Sequence, residues 1–301
     1  MEQFLAELAR TDVGDVRHRE PLSAYTTWKI GGPADVFVIP HDEKQLAAVL
    51  RLLRKHSVPW TNLGRGSNML VSDKGIRGVV IQLGDGFDYV RFEGTLVHAG
   101  AAFSFIKLSV LAGKEGLTGL EFAGGIPGTV GGAVYMNAGA HGSEVSRIFK
   151  SADVVLETGE LVRYGPGDMQ FAYRHTVLHD RPGVVARATF ELREGDRKEI
   201  AASLASYKDR RRRTQPLQLP CAGSVFRNPP GDHAARLIQE AGLKGLRSGG
   251  AEVSAQHANF IVNTGQATAE DVLALMATIR STVNDRFGVD LVPEVLVVGE
   301  R

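Results

Sequence analysis

The chain has 301 residues, of which 43% are apolar and 23% charged, and this balance excludes wholesale disorder and low-complexity sequence. Its 35 basic and 34 acidic residues give a net charge of +1, so no global field draws it to nucleic acid or to an anionic membrane. One cysteine, Cys221, excludes an intramolecular disulfide and a multi-thiolate metal site. No apolar run is long enough to span a membrane, and the acidic N-terminus is unlike a secretory signal. We expect a cytoplasmic protein, as a monomer.

The first third of the chain predicts a strand–helix–strand unit. Residues 34–39 and 58–63 have the composition of strands. Between them the sequence predicts a helix that is opened by Asp42 and Glu43, with an apolar face formed by Leu46, Val49, Leu50 and Leu53. Short links between such elements are typical of a βαβ unit, which implies that its two strands form a parallel pair.

Shorter strands and hairpins follow, and the chain ends in a mixed segment. The predicted elements are strands at 79–84, 89–92 and 95–100, a helix over Phe103–Val110 ending near Gly116, a hairpin at 153–164 turning at Thr158-Gly159, a strand at 184–194, a helix from Ile200 through Lys208–Arg213, a joint at 215–220, a helix opened by Asp232, a strand at 259–263, a helix over 269–287 capped by Thr268, Asp271 and Gly288, and a strand at 291–299. This order predicts an α+β protein of two or three lobes.

Glycine is concentrated where backbone would approach a ligand. Residues 113–142 hold ten of the 35 glycines, and a second loop, Gly64–Asn68, follows a predicted strand. Glycine-rich loops can turn successive N–H groups into one anion-binding concavity, and two of them suit a pyrophosphate. The alternatives are a plain turn at the first loop and a tight packing turn between subdomains at the second.

The G-x-G-x-x-G, P-loop, G-x-S-x-G and H-E-x-x-H motifs do not occur. His175 and His179, spaced i, i+4, fit surface residues better than metal ligands.

Seven segments together resemble one family. They are YTTWKIGGPADVF (25–37), LGRGSNML (63–70), GLEFAGGIPGTVGGAVYMNAGAHG (119–142), FAYRHTVL (171–178), AGSVFRNP (222–229), HANFIVN (257–263) and PEVLVVG (293–299). In this order they resemble UDP-N-acetylenolpyruvylglucosamine reductases, flavoenzymes of peptidoglycan precursor synthesis, and specifically the shorter form that lacks a substrate-capping loop.

The resemblance implies an FAD-binding domain of the vanillyl-alcohol-oxidase (PCMH) type in two subdomains, 1–83 and 84–198, with FAD between them and a C-terminal substrate-binding domain at 199–301. The residues that it implies for FAD binding are Gly64, Gly66, Ser67, Asn68, Met69, Gly124, Gly125, Ile126, Gly128, Thr129, Gly132 and Gly139.

The resemblance also implies a reaction and roles for its residues. NADPH reduces the flavin, and the enolpyruvyl ether of UDP-N-acetylglucosamine then takes hydride at its vinyl C3 and a proton at C2. Arg174 matches the family's enolate-stabilising arginine, Ser224 its proton donor and Glu294 the carboxyl group that works with the arginine. The implied substrate-binding residues are Tyr173, Asn228, Gln256 and Asn259.

Each catalytic candidate has a simpler interpretation from the residues alone. Arg174 fits a surface turn, and Ser224 fits a turn or a helix cap. Glu294 lies in an apolar predicted strand, where a carboxylate is costly unless it is partnered, but it also fits an outward-facing strand position.

Two departures from the family leave diphosphate and NADPH binding open. Gln215 stands near the position of a lysine in the longer form, so the cations of Lys208–Arg213 are an alternative diphosphate site, although a solvated helix end is their default interpretation. His141 stands where some members have tyrosine. Two other functions stay open at this level: an O₂-dependent alcohol oxidase on the same flavin fold, and a nucleotide- or RNA-binding protein.

Overall fold

The computed structural model describes residues 1–300, and the chain divides into two compact units, each built from several stretches of sequence. Unit 1 contains residues 1–18, 36–64 and 78–210, and unit 2 contains residues 19–35, 65–77 and the chain from 211 onward. Each unit has its own apolar core and its own candidate site residues, so the two are described separately.

The α-helices of residues 1–300 are α1 (Glu2–Leu8), α2 (Glu43–Lys55), α3 (Phe105–Lys114), α4 (Val130–Tyr135), α5 (Pro166–Met169), α6 (Arg197–Thr214), α7 (Ala234–Glu240) and α8 (Ala269–Phe287). Short 3₁₀ turns lie at Leu22–Tyr25, Asp85–Phe87, Glu121–Gly125, Val145–Arg147 and Val177–His179. The predicted long helices at 42–53, 103–110, 200–213 and 269–287 are therefore confirmed.

The strands of residues 1–300 are β1 (Asp15–Pro21), β2 (Pro33–Ile39), β3 (Trp60–Asn62), β4 (Met69–Val71), β5 (Ile76–Ile81), β6 (Val90–Glu93), β7 (Leu96–Gly100), β8 (Leu117–Thr118), β9 (Gly139–Ala140), β10 (Ser143–Glu144), β11 (Phe149–Leu156), β12 (Leu161–Tyr164), β13 (Gly183–Glu191), β14 (Arg193–Glu194), β15 (Arg247–Ser248), β16 (Ala251–Val253), β17 (Ile261–Asn263) and β18 (Leu296–Val298).

The predicted βαβ unit is present, but β5 separates its two strands. The sheet order is β1-β2-β5-β3, and β3 pairs in parallel with β5 rather than with β2. The central place goes to β5 because its Val79, Val80 and Ile81 are fully buried, as a strand covered on both faces requires. Helix α2 begins where predicted, since the Asp42 carboxylate accepts the Gln45 N–H at 2.8 Å.

The short strands of the middle segment build an antiparallel sheet in unit 1. Its order is β12-β11-β13-β7-β6. The β11–β12 hairpin turns at Gly159, whose φ of +77° explains why glycine stands there. Helices α3 and α4 cover one face of this sheet, and Phe105, Phe122 and Phe190 pack in the core between them.

Unit 2 combines a small antiparallel sheet, β15-β16-β17, with the long helix α8. The predicted caps of α8 are confirmed: Thr268 and Asp271 form a capping box, and Gly288 adopts a left-handed φ of +67°. Strand β4 pairs in parallel with β18, which fixes the chain after the first glycine-rich loop beside the C-terminal segment.

Two predicted boundaries in unit 2 were wrong. The last strand covers only Leu296–Val298, so Glu294 lies before it, between the isolated bridge at Pro293 and a bend at Val295. Helix α7 begins at Ala234 rather than at Asp232. Asp232 instead binds Arg236 and the His233 N–H, and these hydrogen bonds lower the pKa of Asp232 to about 2.

The buried apolar side chains of residues 1–300 form three clusters, each of which joins residues from several parts of the chain. One surrounds α2 and β5, one lies between the five-stranded sheet and α3, and one surrounds α8. The division at 1–83, 84–198 and 199–301 stays a prediction. No helix within residues 1–300 combines the length and apolar character needed to cross a membrane.

The contribution of buried ion pairs to the stability of the antiparallel sheet can be tested at Asp153. Its carboxylate is almost fully buried on β11 and is bound by Arg163 and Arg187. The hydrogen bond from Arg163 is the main cause that lowers the pKa of Asp153 below its ordinary 3.8. We expect Asp153→Asn to lower the free energy of unfolding at pH 7 by about 2 kcal/mol in urea titrations, because two arginines lose their anion.

The same pKa shift sets the pH dependence of that loss. A carboxylate with a depressed folded-state pKa stabilises the fold above its unfolded pKa, and this contribution disappears as pH falls through the folded value. The difference between wild type and Asp153→Asn should therefore shrink below about pH 3.8. Glu191→Gln is the matched control, because the exposed Lys150–Glu191 pair is worth less than about 1 kcal/mol. An equal loss in both variants would contradict the assignment.

Candidate active site

Arg174 occupies a strained turn in unit 1. Ala172 and His175 close the turn with two backbone hydrogen bonds, of 3.0 and 3.2 Å between N and O. Arg174 is its third residue and adopts a φ of +55°, a conformation that glycine and asparagine accept but that costs an arginine on the order of 1 kcal/mol. The backbone therefore tolerates strain in order to present this side chain.

The guanidinium of Arg174 is fixed on both sides. Its Nη2 donates to the carbonyl of Gly139 at 3.0 Å, and its Cζ lies over the ring of Tyr173, 4.9 Å from the ring centroid. Tyr173 itself is 48% exposed, so its outer face is accessible to a ligand. These contacts hold the charge in one orientation.

A buried asparagine that sequence reasoning did not single out holds this turn in place. Asn137 is fully buried with a φ of +44°, and its Nδ2 donates to the carbonyl of Ala172 at 2.9 Å. Its Oδ1 accepts the N–H of Ser146 at 3.0 Å. Because both ends of the amide are used, Asn137 ties the Arg174 turn to the segment after β10. The tolerance of asparagine for positive φ was the available signal.

The glycine-rich loops approach each other within unit 1. A methyl group on Gly64 would lie 3.0 Å from Oγ1 of Thr129, so a side chain at Gly64 would press on the second loop. The N–H groups of Gly64, Gly128 and Thr129 have no acceptor within residues 1–300. They are backbone donors on two loops that approach each other, and such donors can bind an anionic group such as a pyrophosphate.

The other candidate flavin residues of unit 1 take part in packing. Thr129 caps α4 by accepting the Gly132 N–H at 3.2 Å. A methyl group on Gly124 would meet Leu204 of α6 at 2.8 Å, and one on Gly139 would meet Glu144 at 2.7 Å. Gly125 and Ile126 end the 3₁₀ turn before Pro127 and are half-buried. For Gly124 and Gly139, close packing is therefore a sufficient reason for glycine.

His141 lies at the tip of the β9–β10 hairpin. His141 and Gly142 both have positive φ, as a two-residue hairpin turn requires. The His141 ring stacks on Tyr207 of α6 with centroids 3.9 Å apart. Burial under this ring and the nearby charge of Arg210 lower the pKa of His141, so the imidazole is neutral at physiological pH.

In unit 2, the rest of the first glycine-rich loop is joined to the C-terminal segment. Gly66 has a φ of +58° and packs on the backbone of Tyr25 and Thr26, which leaves no room for a side chain. Ser67 is half-buried, and Met69 is buried at the start of β4. Asn68 donates from Nδ2 to the carbonyl of Glu294 at 3.1 Å, so a candidate flavin residue contacts a candidate catalytic segment.

Ser224 and Glu294 lie on neighbouring segments of unit 2. Phe226 and Pro293 form an antiparallel bridge, and the N–H of Glu294 donates to the carbonyl of Val225 at 2.7 Å. Ser224 follows Gly223, whose φ of +76° bends the chain. Both Ser224 and Glu294 are half-buried. The structure thus brings together two residues that are 70 positions apart in sequence.

Asn259 clamps the Ser224 segment. Its side chain is buried, with Oδ1 accepting the Phe226 N–H at 3.0 Å and Nδ2 donating to the Phe226 carbonyl at 2.8 Å. Its own carbonyl accepts the Val225 N–H at 2.9 Å. The amide therefore positions the segment, and its atoms point at backbone.

The remaining predicted polar residues also bind backbone or side chains of unit 2. Asn228 accepts the Ala234 N–H at 3.1 Å, at the start of α7. Gln256 donates to the carbonyls of Arg212 and Arg213 at the end of α6. Gln215 accepts from Nε of Arg211 at 2.8 Å.

Two ionisable side chains near the Ser224 segment, Cys221 and His257, are neutral. Burial raises the pKa of the Cys221 thiol, which therefore stays protonated three residues before Ser224. Burial, and then the charge of Lys244, lower the pKa of His257, whose Nδ1 accepts the Asn259 N–H at 3.3 Å.

Within residues 1–300 no cluster of three or more His, Cys, Asp or Glu side chains could hold a metal. His175 instead pairs with Asp180 at 3.2 Å.

A comparison with known protein families shows the class of protein to which this chain belongs. A model described as an FAD binding domain matches residues 34–165, which include both glycine-rich loops. This match defines the chain as an α+β flavin-binding protein, and it confirms the predicted fold class.

Further matches give the family. A model described as the C-terminal domain of UDP-N-acetylenolpyruvoylglucosamine reductase matches residues 215–298. The reductases of Bacillus licheniformis and Anoxybacillus flavithermus are 49% and 51% identical to this chain over the full length of both proteins. The solved reductase of Thermus caldophilus is 37% identical with a TM-score of 0.81, over 94% of this chain and 98% of that one. The chain belongs to the UDP-N-acetylenolpyruvoylglucosamine reductase family.

The flavin cradle can be tested at Gly64. In Gly64→Ala the new methyl group would press on Thr129 of the second loop and displace the backbone donors, so we expect FAD affinity to fall roughly tenfold, as measured by flavin fluorescence on dilution. Gly167→Ala is the control, because nothing lies within 4 Å of its added methyl group. Unchanged flavin affinity in Gly64→Ala would argue that the loops do not hold the cofactor.

Proposed function

We propose that this protein is an NADPH-dependent flavoenzyme that reduces the enolpyruvyl ether of UDP-N-acetylglucosamine-enolpyruvate to UDP-N-acetylmuramate. Membership of the reductase family supports the substrate class, and the pairing of the Ser224 and Glu294 segments is the observation that carries the mechanism. We further propose that it works in the cytoplasm as a monomer, with domains at 1–83, 84–198 and 199–301.

FAD fits the backbone donors of the two glycine-rich loops. Gly64, Gly128 and Thr129 offer N–H groups in unit 1, and the loop through Gly66 and Asn68 continues in unit 2. We assign the pyrophosphate of FAD to the donors of Gly64, Gly128 and Thr129. The family resemblance supports FAD-binding roles for Ser67, Met69, Gly125, Ile126 and Gly132. When bound, FAD supplies the hydride acceptor for NADPH and the hydride donor for the vinyl carbon.

Arg174 is proposed to bind the carboxylate of the substrate. As hydride reaches C3, negative charge spreads from C2 onto that carboxylate, and a guanidinium is a permanently charged partner that can bind both oxygens. Its contacts with Gly139 and Tyr173 fix it before the reaction, so little reorganisation is needed as the charge develops. Tyr173 would line the same part of the substrate through its exposed ring face.

Ser224 is proposed to donate the proton. The proton of its Oγ–H would pass to C2 as the carbon–carbon double bond is lost. The serine alkoxide that remains would be reprotonated from solvent. A serine hydroxyl is a weak acid, so this step depends on fixed geometry, which the clamp by Asn259 provides. Glu294, on the neighbouring segment, would work with Arg174 on the substrate carboxylate. Asn228 and Gln256 would support the substrate site by binding the start of α7 and the end of α6, respectively.

The overall reaction is tested by an anaerobic absorption spectrum. We expect flavin bands that bleach with one equivalent of NADPH and return with enolpyruvyl-UDP-N-acetylglucosamine. Bands that return only with O₂ would favour an oxidase on the same fold. A protein that stays colourless after FAD is added would favour a binding protein instead.

Replacing Ser224 separates the two half-reactions. We expect Ser224→Ala to bind FAD and to be bleached by NADPH at the wild-type rate, because the hydroxyl acts only on the substrate. Re-oxidation by substrate should slow by about 10²-fold or more, measured by anaerobic stopped-flow absorbance. Ser281→Ala, on the exposed face of α8, is the control. Unchanged re-oxidation in Ser224→Ala would exclude the proton-donor role.

The strained turn predicts opposite effects on stability and activity. Asparagine accepts a positive φ, so Arg174→Asn relieves the backbone strain, and the free energy of unfolding should stay constant or rise by up to about 1 kcal/mol. The variant also loses the guanidinium, so kcat should fall by about 10²-fold or more. Gln170→Asn, also at positive φ and exposed, should relieve strain without changing kcat. Retained turnover in Arg174→Asn would remove Arg174 from the mechanism.

A further inference from the structure

Arg227 is a half-buried cation in unit 2 that its surroundings leave uncompensated. Its Nε is buried and has no hydrogen-bond partner, and its guanidinium forms no ion pair with a carboxylate anywhere in residues 1–300. A buried donor without an acceptor costs stability, and a charge withdrawn from water costs more. Such a group requires an explanation, and an anion that arrives with a ligand is a direct one.

The backbone that carries Arg227 is fixed on every side. Its own N–H donates to the carbonyl of Val292 at 2.9 Å. The preceding residue, Phe226, is held at both its N–H and its carbonyl by Asn259, and the following residue, Asn228, caps α7. The guanidinium is therefore presented from a rigid segment, as in a preformed binding site.

The position of Arg227 relative to Ser224 indicates which anion it meets. Three residues of extended chain span at most about 10 Å, so the two side chains can reach different ends of one small molecule. In the proposed substrate, the enolpyruvyl ether and the diphosphate are attached to different carbons of the same sugar ring. A side chain one sugar ring away from the proton donor would therefore lie near the diphosphate.

The cations of Lys208–Arg213 are less suited to that role. All of them except Arg211 are exposed on the last turns of α6, where water already solvates the charge. Arg211 is half-buried, but its Nε is bound to Gln215. An exposed cation does not need a ligand, whereas Arg227 has a buried donor without an acceptor in residues 1–300.

We propose that Arg227 binds the diphosphate of the nucleotide-sugar substrate and thereby sets its affinity and position; this rests on the proposed function. A guanidinium donates a fork of N–H groups to phosphate oxygens, and a lysine ammonium cannot reproduce that geometry. The pyrophosphate of NADPH offers the same chemistry, so the experiment must distinguish the two sources.

The experiment compares wild type with Arg227→Gln and Arg227→Lys as flavin-loaded enzymes. Binding of UDP-N-acetylglucosamine, measured by calorimetry, should weaken by about 10- to 100-fold in Arg227→Gln and by less in Arg227→Lys. The apparent Kd for NADPH in anaerobic flavin reduction should not change. Re-oxidation by enolpyruvyl-N-acetylglucosamine, which lacks the diphosphate, should proceed with the same kcat/KM in wild type and variant.

Arg236→Gln is the matched control, because Arg236 lies on α7 and is already paired with Asp232 and Glu240. An equal loss for the complete and the truncated substrate would show that Arg227 only maintains the segment, and a loss confined to NADPH would assign it to that pyrophosphate. Either result, or unchanged UDP-N-acetylglucosamine binding in both Arg227 variants, overturns the proposal. Failure of the proposed function is separate, since the wild-type enzyme would then not be re-oxidised by either substrate.

Discussion

The buried amide of Asn259 is the interaction on which the candidate site of unit 2 depends. The segment Cys221–Asn228 belongs to no regular sheet, so its backbone groups have no ladder partners of the usual kind. Asn259 supplies one acceptor and one donor to a single residue, Phe226, in the manner of a neighbouring strand. Ser224 and Arg227 lie on either side of that residue, and the Glu294 segment is bound to the same stretch. One side chain thus fixes three groups with different proposed roles.

Unit 1 uses the same device. Asn137 is also fully buried, and its amide joins two backbone segments that no sheet connects. The turn that it holds carries Arg174 in a conformation unfavourable to arginine. In both units the groups that carry the proposed chemistry lie on irregular backbone, and a buried asparagine replaces the missing secondary structure. Irregular backbone can aim side chains in directions that helices and strands do not offer, at the expense of some stability.

The sequence predicted most elements because their patterns are local. The apolar face of α2, the capping box of α8 and the turn at Gly159 each depend on residues within one or two turns of chain. The insertion of β5 between β2 and β3 was not predictable in this way, because strand order depends on burial contributed by distant segments. The position of Glu294 was missed for a related reason, since LVPEVLVVG looks like one strand, whereas a bend at Val295 separates Glu294 from the strand Leu296–Val298.

The site was predictable only in part, and mainly through resemblance. The glycine-rich loops were visible as composition, but whether a given glycine serves a ligand or packing depends on its neighbours, as Gly64 and Gly124 illustrate. Asn259 was expected to face the substrate, whereas the structure directs its amide to Phe226. Arg227 gave no signal in the sequence, because a charge without a partner is defined by what is absent around it.

The clamp on Phe226 also has a consequence for how unit 2 opens. Amide protons in loops usually exchange with solvent through small local fluctuations, because little holds them closed. The N–H of Phe226 is bound to a side chain that is itself buried beside β17, so it cannot be released without disturbing the core around α8. Exchange at this loop position is thereby coupled to the cooperative opening of that core. Although the segment has no regular secondary structure, the amide proton of Phe226 should therefore exchange as slowly as amide protons inside a helix. The residues on either side of Phe226 should stay in place for equally long.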